Sequence, residues 1–428
     1  LFAVNLDTVR KVDGIIGVKG CWRIERCILE EGTAFSFPSW NENGYTQCNA
    51  EFLPMQSYAF ILTECTAAER TDAGIRLQKP DFVMMEKIRF DSVWSLEAKD
   101  LNALTLDHAC LSIDGEPWSG KIPTIEIQEK LLRLGRPAEV ALKFDFEIAS
   151  GIETFTEMYL GVEEASQFEI EVNGKPVCTE NPGWWRDKCL KKIDIREYIR
   201  TGTNIVILKL PFTCSEKVYK LLTTPGVHEA EMNKITYDVE IESIYVIGDF
   251  GVFSQSGYSA GERKAVFTDG PFAIREAPGK ADASDLVPQG FCFYAGNMLL
   301  TQEVQLPETE QGCKVVLDMG TKPSVVLFKI WVNGELAGTV AWAPYQLDIT
   351  GLVKTGRNVI GIELLGSCRN LLGPHHHVLG EPHAVGPSSF TKQKGWIEWH
   401  LEDSNIWRDR YCFVRFGLEE APVILIGE

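Results

Sequence analysis

Alternation of apolar and polar residues is the dominant pattern along this chain. From Val140 to Ile148 every second residue is apolar, and three of the four residues between them are charged. A period of two predicts a strand with one buried face. Helical periodicity is scarce, and one short helix is expected within residues 122–132. The pattern predicts an all-β fold of tandem antiparallel β-sandwiches with few short helices.

A longer pattern occurs twice, first in residues 168–206 and again in residues 328–360. Each copy has an alternating strand that ends in Asn-Gly, then an Asp-Ile pair, then a Thr-Gly-x-Asn turn before another apolar strand. Asn-Gly supplies the positive φ angles of a type I′ turn and so predicts a hairpin. The Asn-Gly pairs lie 160 residues apart. Solenoid repeats recur every ~20–50 residues, so two related sandwich domains are expected instead.

The second copy resembles the galactose-binding-like jelly roll that is attached to large glycoside hydrolases. Enzymes of the β-galactosidase/β-glucuronidase type (glycoside hydrolase family 2) and α-L-rhamnosidase-like enzymes carry this module. The resemblance rests on Val332-Asn333-Gly334, Trp342, Tyr345, Asp348-Ile349 and Gly356-Arg357-Asn358-Val359. It implies that both copies are jelly rolls with a sugar-binding or architectural role.

A second, shorter resemblance concerns the start of the chain. Leu53-Pro54 and Ser57, followed by an apolar run to Leu62, are similar to the last strand of the small sandwich that follows the catalytic barrel in retaining glycosidases. The chain also begins with Leu1 rather than methionine. Together these features imply that a catalytic barrel precedes this chain in the same polypeptide.

The patterns divide the chain into five predicted segments. They are a small post-barrel β-sandwich at 1–65, a linker at 66–80, the first galactose-binding-like sandwich at 81–253, a connecting loop region at 254–289 and the second jelly roll at 290–428.

Composition narrows the class of protein. There are 42 Lys and Arg against 60 Asp and Glu, a net charge of −18, with no basic stripe, which argues against a nucleic-acid partner. No apolar run reaches the ~20 residues that a membrane helix needs. The 12 cysteines include no Cys-x-x-Cys pair and are interpreted mostly as small buried side chains, with Cys178 and Cys189 the best candidates for a disulfide. A bacterial cytoplasmic location is favoured over secretion.

Aromatic residues are candidates for contact with carbohydrate, because sugar rings stack their C–H faces on aromatic planes. Trp184 and Trp185 lie in an insertion of the first copy, and Trp342 lies in the equivalent hairpin return of the second. Tyr345, which belongs to the jelly-roll resemblance, is a further candidate. The alternative interpretation is packing at the end of a β-core. Trp396 and Trp399 alternate around Ile397 and are predicted to be packing residues.

The run His375-His376-His377 is the most conspicuous local signal. Consecutive residues of an extended chain point to opposite faces, so at most two of these imidazoles can share a metal centre. The spacing matches no established metal motif. The rhamnosidase-like proteins carry a similar turn, from Arg369 to His376, which implies a built-in contact loop. The predicted carbohydrate contacts are therefore Trp184, Trp185, Trp342, Tyr345, Arg369, His375 and His376, with no metal site.

Aspartates at turns offer one possible cofactor, a structural calcium ion. Asp187, Asp194 and Asp348 are candidate ligands of the kind that jelly rolls often provide. However, Asp194 and Asp348 recur at the same strand-to-turn junction of the two copies, where an aspartate commonly accepts backbone N–H groups. The turn interpretation is favoured, and no cofactor is expected.

The sequence contains no phosphate-binding loop, nucleophile elbow or dinucleotide fingerprint, and no catalytic residue is assigned. The predicted function is that of a non-catalytic C-terminal part of a multidomain glycoside hydrolase acting on plant or microbial polysaccharide. Its expected partners are carbohydrate and the upstream barrel. Two alternatives stay open: a stand-alone carbohydrate-binding protein and a purely structural β-sandwich scaffold.

Overall fold

The computed structural model describes residues 1–7, 10–29, 32–66, 83–180, 182–228, 231, 234–308, 310, 312–320 and 324–428. Strands account for 47% of the structure and helices for 10%, so the all-β prediction is confirmed. The α-helices within the described residues are Thr124–Arg133, Glu216–Thr223 and Arg369–Leu372. The first of them is the helix that the sequence predicts. The predicted linker at 66–80 lies, except for Thr66, outside the described residues.

Two small antiparallel sheets form the N-terminal part of the chain. One has the strand order Phe2–Val4, Ser57–Glu64, Trp22–Ile28 and Thr33–Ser36, and the other Val12–Lys19, Tyr45–Phe52 and Trp40–Glu42. Ile24, Cys48 and Phe60 form a buried cluster of their own, separate from the main core.

The first repeat copy lies in two larger sheets. The five-stranded sheet has the order Asn102–Leu106, Ile244–Gly248, Met158–Glu163, Asp187–Asp194 and Gly183–Trp185. The eight-stranded sheet runs Lys121–Pro123, His108–Ile113, Ala138–Ile148, Gly202–Phe212, Glu169–Val172 and Lys175–Pro176, with Phe272–Glu276 beside Ala138–Ile148 and Phe250–Ser254 beyond it. Val140, Phe144 and Ile148 are buried at alternate positions, as the sequence predicts.

The second repeat copy has a six-stranded and a four-stranded sheet. The six-stranded sheet has the order Lys280–Asp282, Val93–Ala98, Asn297–Leu306, Gly356–Leu365, Leu327–Val332 and Glu335–Val340. The four-stranded sheet has the order Gln346–Asp348, Lys314–Asp318, Val423–Gly427 and Met84–Arg89. A three-stranded sheet of Ser259–Ala260, Ala265–Thr268 and Tyr411–Val414 lies alongside.

The two copies are nested rather than consecutive. Strand Met84–Arg89 pairs with Val423–Gly427, and Val93–Ala98 pairs with Asn297–Leu306, so both early strands belong to the sheets of the second copy. The predicted boundaries instead place these strands with the first copy at 81–253. Alternation identifies a strand but not its partner, which explains the difference. The predicted connecting region at 254–289 also contains four short strands.

The predicted Asn-Gly hairpins are confirmed. Asn173 and Gly174 have φ angles of 52° and 77°, and Asn333 and Gly334 have 52° and 88°. Positive φ at both central positions is the requirement of a type I′ turn. Each hairpin therefore follows from its own dipeptide.

Candidate functional site

The segment that follows strand Gly356–Leu365 crosses to the sheets of the first copy. The Thr105 hydroxyl donates to the Leu371 carbonyl at 3.0 Å. Further along, Lys392 forms an ion pair with Glu126 of the first helix. These contacts place the histidine run beside the end of strand Asn102–Leu106, so residues of both copies meet in one site.

Asp107, the first residue after that strand, is the centre of the site. Its Oδ1 atom lies 2.7 Å from His108 Nδ1 and accepts a 2.7 Å hydrogen bond from the Tyr411 hydroxyl. Its Oδ2 atom lies 3.0 Å from His376 Nε2. One carboxylate thus joins two imidazoles and a phenol, and we refer to these four residues as the Asp107 cluster.

The surroundings hold Asp107 in its ionised form. Burial by itself would raise the pKa of Asp107, but the His108 and His376 imidazoles that face its two oxygens outweigh burial and bring the pKa well below its ordinary value. Burial, reinforced by the Asp107 charge, raises the pKa of Tyr411. The phenol therefore stays protonated and donates to the carboxylate.

The ring of His376 is held by three neighbours. Its Nδ1 atom lies 2.9 Å from the Arg408 carbonyl oxygen, which can only accept, so Nδ1 carries a hydrogen. The Trp407 ring stacks on the imidazole with a centroid distance of 4.4 Å and an angle of 18°. The Tyr411 ring contacts it at 4.5 Å. This packing sets both the orientation and the tautomer of His376.

The other two histidines of the run have different surroundings. His375 Nε2 lies 2.9 Å from the Asn370 carbonyl, and burial lowers the pKa of His375 to about 4. His377 Nε2 lies 3.8 Å from the buried carboxylate of Glu398. Of the three consecutive histidines, only His376 belongs to the Asp107 cluster. This agrees with the expectation that at most two of them could share one centre. Its partner His108 was missed by sequence reasoning, because only the crossing of the chain brings it to His376.

The Asp107 cluster has donor atoms suited to a transition-metal ion. One atom each from Asp107, His108 and His376 can be chosen so that all three lie within 4.8 Å of one another. Imidazole nitrogen and carboxylate oxygen are the ligands that Zn²⁺ and its neighbours accept in proteins.

Two cavities, each of about 410 Å³, meet at Asp107. The first, called here the His108 cavity, is lined by His108, Lys121, Asp145 and Tyr411 among others. The second, called the Trp407 cavity, is lined by rings and by polar groups. The rings are those of His375, His376, Tyr245, Phe390 and Trp407, and the polar side chains include Glu163, Glu242, Ser243 and Ser389. Asp107 lines both, so the cluster is reached from either one.

The carboxyl groups that line the Trp407 cavity are subject to repulsion from neighbouring carboxylates. Partial burial, with repulsion from Glu163 and Glu240, raises the pKa of Glu242 to about 7. Burial and the Glu240 charge also raise the pKa of Glu163. A carboxyl group that is half protonated near neutral pH can both donate and accept hydrogen bonds.

The predicted sugar-contact residues are spread over several places. Of the seven, only His375 and His376 line the Trp407 cavity, while the Trp185 ring packs 6.4 Å from the Tyr245 ring that lines it. Trp184 and Trp342 are exposed elsewhere, at 58% and 54%.

Tyr345 and Arg369 have structural partners instead. Tyr345 packs in part against the main core. Arg369 forms a 2.7 Å ion pair with Glu381, in which both side chains are largely buried. Neither the tyrosine ring nor the guanidinium group lines the Trp407 cavity.

Two further predictions have clear outcomes. The packing role predicted for Trp396 and Trp399 is wrong, because they lie in an irregular segment and are 80% and 78% exposed. The turn role of the aspartates is confirmed: Asp194 accepts from the Arg196 N–H, and Asp348 from the Thr350 N–H, both at 3.0 Å. These two aspartates end strands of different sheets.

The cysteines of the described residues are all free. Cys178 and Cys189, the candidates for a disulfide, are both exposed, whereas Cys48, Cys214, Cys292, Cys313 and Cys412 are buried. Within the described residues, none of the helices is long and apolar enough to cross a membrane.

Comparison with known proteins assigns the chain to no family: no family model and no curated protein matches it. The solved structures that are similar to it include glycoside hydrolases. Streptomyces avermitilis α-L-rhamnosidase complexed with L-rhamnose is 10% identical over 82% of this chain and 33% of its own, at a TM-score of 0.26. The rhamnosidase from Novosphingobium sp. PP1Y is 14% identical over 68% of this chain and 23% of its own, at a TM-score of 0.21. A Ruminococcus gnavus β-glucuronidase is 11% identical over 66% of this chain and 45% of its own, at a TM-score of 0.25.

This chain thus spans less than half the length of these enzymes. TM-scores of this size define neither a family nor an arrangement of domains for it. The class that the structure establishes is an all-β protein of several antiparallel sheets.

Proposed function

We propose that this chain is a non-catalytic accessory part of a multidomain glycoside hydrolase acting on plant or microbial polysaccharide, and that it binds carbohydrate in the Trp407 cavity. The observation that carries the binding proposal is the composition of that cavity. Phe390 and Tyr245 offer ring surfaces, while Glu242, Ser243 and Glu163 offer hydrogen-bonding groups in the same cavity. Sugars need this combination, because each ring has apolar C–H faces and a polar rim of hydroxyls.

The accessory role is supported by the duplicated hairpin-and-aspartate signature, which resembles the sugar-binding modules of large glycosidases. Among the predicted contacts, His375 and His376 line the cavity and Trp185 packs against its wall. The exposed rings of Trp184 and Trp342 are proposed as additional sugar platforms outside it.

Calorimetry with rhamnose-, galactose- and glucuronate-containing oligosaccharides tests the binding proposal. Phe390→Ala and Glu242→Gln should each weaken binding about tenfold, as expected from the loss of roughly 1.4 kcal/mol of stacking or hydrogen bonding. Trp396→Ala is the matched control, because that exposed ring does not line the cavity and its loss should leave affinity unchanged.

A turnover assay on aryl glycosides of the same sugars tests the accessory role. We expect no hydrolysis by this chain alone and association with a separately expressed catalytic barrel of the parent enzyme. Sugar binding without such association would favour a stand-alone carbohydrate-binding protein. Neither binding nor association would leave a structural scaffold and overturn the proposal.

A further inference from the structure

The hydrogen-bonding of His376 leaves one of its contacts unexplained. Nδ1 carries a hydrogen because its partner, the Arg408 carbonyl, only accepts. In the neutral ring Nε2 then has a lone pair, yet it faces Asp107 Oδ2 at 3.0 Å. Two lone pairs at this distance repel each other. A proton or a metal ion between the two atoms removes this repulsion.

The carboxylate poses the same requirement. Asp107 is largely buried, and a buried negative charge needs a positive partner. Arg369, which shortly precedes the histidine run, is already paired with Glu381. His108 Nδ1 and His376 Nε2 are the nitrogen atoms that face Asp107. A positive partner for the Asp107 carboxylate would therefore lie between its oxygens and these two nitrogens.

We propose that Asp107, His108 and His376 bind a divalent transition-metal ion of the Zn²⁺ class, with one coordination position left open. The proposal is independent of carbohydrate binding in the Trp407 cavity. Its ligands would be one Asp107 carboxylate oxygen, His108 Nδ1 and His376 Nε2. Three protein ligands with a vacant fourth position make an open rather than a closed zinc site.

The spacing of the donor atoms suits this ion. Zn–N distances of about 2.0–2.1 Å put neighbouring ligands of a tetrahedron roughly 3.3 Å apart. The nitrogens of His108 and His376 lie 2.7 Å and 3.0 Å from their nearer carboxylate oxygens, and the three donor atoms stay within 4.8 Å of one another. To reach this spacing, the two nitrogen–oxygen distances must lengthen by a few tenths of an ångström, and the largest separation must shorten by at most about 1.5 Å. Side-chain rotation can supply movements of this size.

The groups behind the ligands are those that accompany bound metal in proteins. A metal-bound histidine usually donates its other ring N–H to a carbonyl, and a ligating carboxylate is usually hydrogen-bonded in turn. His376 Nδ1 donates to the Arg408 carbonyl, and the Tyr411 hydroxyl donates to Asp107. The Trp407 ring, stacked on the imidazole, keeps Nε2 directed at the carboxylate.

Metal uptake by the whole chain tests the proposal. The protein is treated with chelator, titrated with Zn²⁺ in competition with a chromogenic chelator, and titrated with Co²⁺ to record its visible absorption. We expect one equivalent of Zn²⁺ and an intense cobalt spectrum of low coordination number. His108→Ala should abolish both, and Tyr411→Phe should weaken zinc affinity about 10–100-fold, the usual effect of removing a group that supports a ligand.

His383→Ala is the matched control, because this exposed histidine lies outside the cluster and should bind metal as the unaltered chain does. If His108→Ala fails to fold by circular dichroism, His108→Gln keeps a polar side chain and replaces it. The proposal is overturned if the unaltered chain takes up no metal. It is equally overturned if the His108 variants bind as much metal as His383→Ala, which would leave a protonated His376 as the partner of Asp107.

Discussion

The amide side chains of Asn333 and Asn358 hydrogen-bond to each other at 3.0 Å. Asn333 also accepts from the Val359 N–H, while the buried Asn358 accepts from the Lys354 N–H and donates to the Lys354 and Gly356 carbonyls. In the first copy Asn173 and Asn204 form the same pair at 2.8 Å, with equivalent backbone partners. The repeated sequence signature is thus one hydrogen-bonded pair of asparagines, the second of them buried, that joins a hairpin to the next turn.

Replacing Asn358 with alanine should destabilise the second copy by about 2–4 kcal/mol, because buried backbone groups lose their partners. Hydrogen exchange of strand Gly356–Leu365, followed by mass spectrometry, measures the local effect. Asn49→Ala, at an exposed strand position, is the control and should leave that exchange unchanged. Equal protection in both variants would contradict a structural role for the asparagine pair.

Nesting of the two copies predicts how fragments fold. A fragment of residues 83–428 keeps strands Met84–Arg89 and Val93–Ala98, whereas a fragment of 99–428 exposes the edges that these strands cover. Uncovered edges with apolar neighbours promote aggregation. Size-exclusion chromatography should therefore show a soluble monomeric or oligomeric species for the first fragment and aggregates for the second. Equal solubility and thermal stability of the two fragments would argue against nesting.

Glu242 gives the stability of the protein a defined pH dependence. Its pKa is raised from 4.5 to about 7 in the fold, so the folded state holds the proton more tightly than the unfolded chain. Ionisation of the native carboxyl therefore lowers the free energy of unfolding progressively as the pH rises from 4.5 to 7. Above pH 7 the whole of this loss is present. Glu242→Gln removes it.

The glutamine variant should thus have a higher melting temperature at pH 8, by about 1–3 °C, and the difference should vanish near pH 4.5. Differential scanning calorimetry across this range measures it. Glu116→Gln, on an exposed turn, should show no such pH-dependent gain. A gain that grew on acidification would contradict the direction of the shift.

Glu398 holds the irregular segment that carries Trp396 and Trp399. Its buried carboxylate accepts hydrogen bonds from the Ser388 and Ser389 hydroxyls at 2.7 Å and 2.6 Å and from the Gly395 N–H at 3.0 Å. Glu398→Ala would leave these donors unpaired at a cost of about 2–4 kcal/mol. Limited proteolysis should then cut within residues 385–400 much faster than in Glu402→Ala, whose side chain is exposed. Unchanged cutting would show that other contacts hold the segment.

The strands, the turns and their duplication were determined by the sequence itself, because each follows from neighbours in the chain. Alternation from Val140 to Ile148 requires a half-buried strand, Asn-Gly requires a tight hairpin, and an aspartate before a turn finds a backbone N–H two residues on.

Only the tertiary structure decided which strands pair and which side chains converge. Met84–Arg89 joins Val423–Gly427 across more than 300 residues, and Asp107 meets His376 across 269, separations over which no local pattern acts. The sequence could mark His375–His377 as unusual but not choose His376 or supply His108 as its partner. That choice depends on long-range packing, where strand edges and buried polar groups find partners that sequence distance does not reveal.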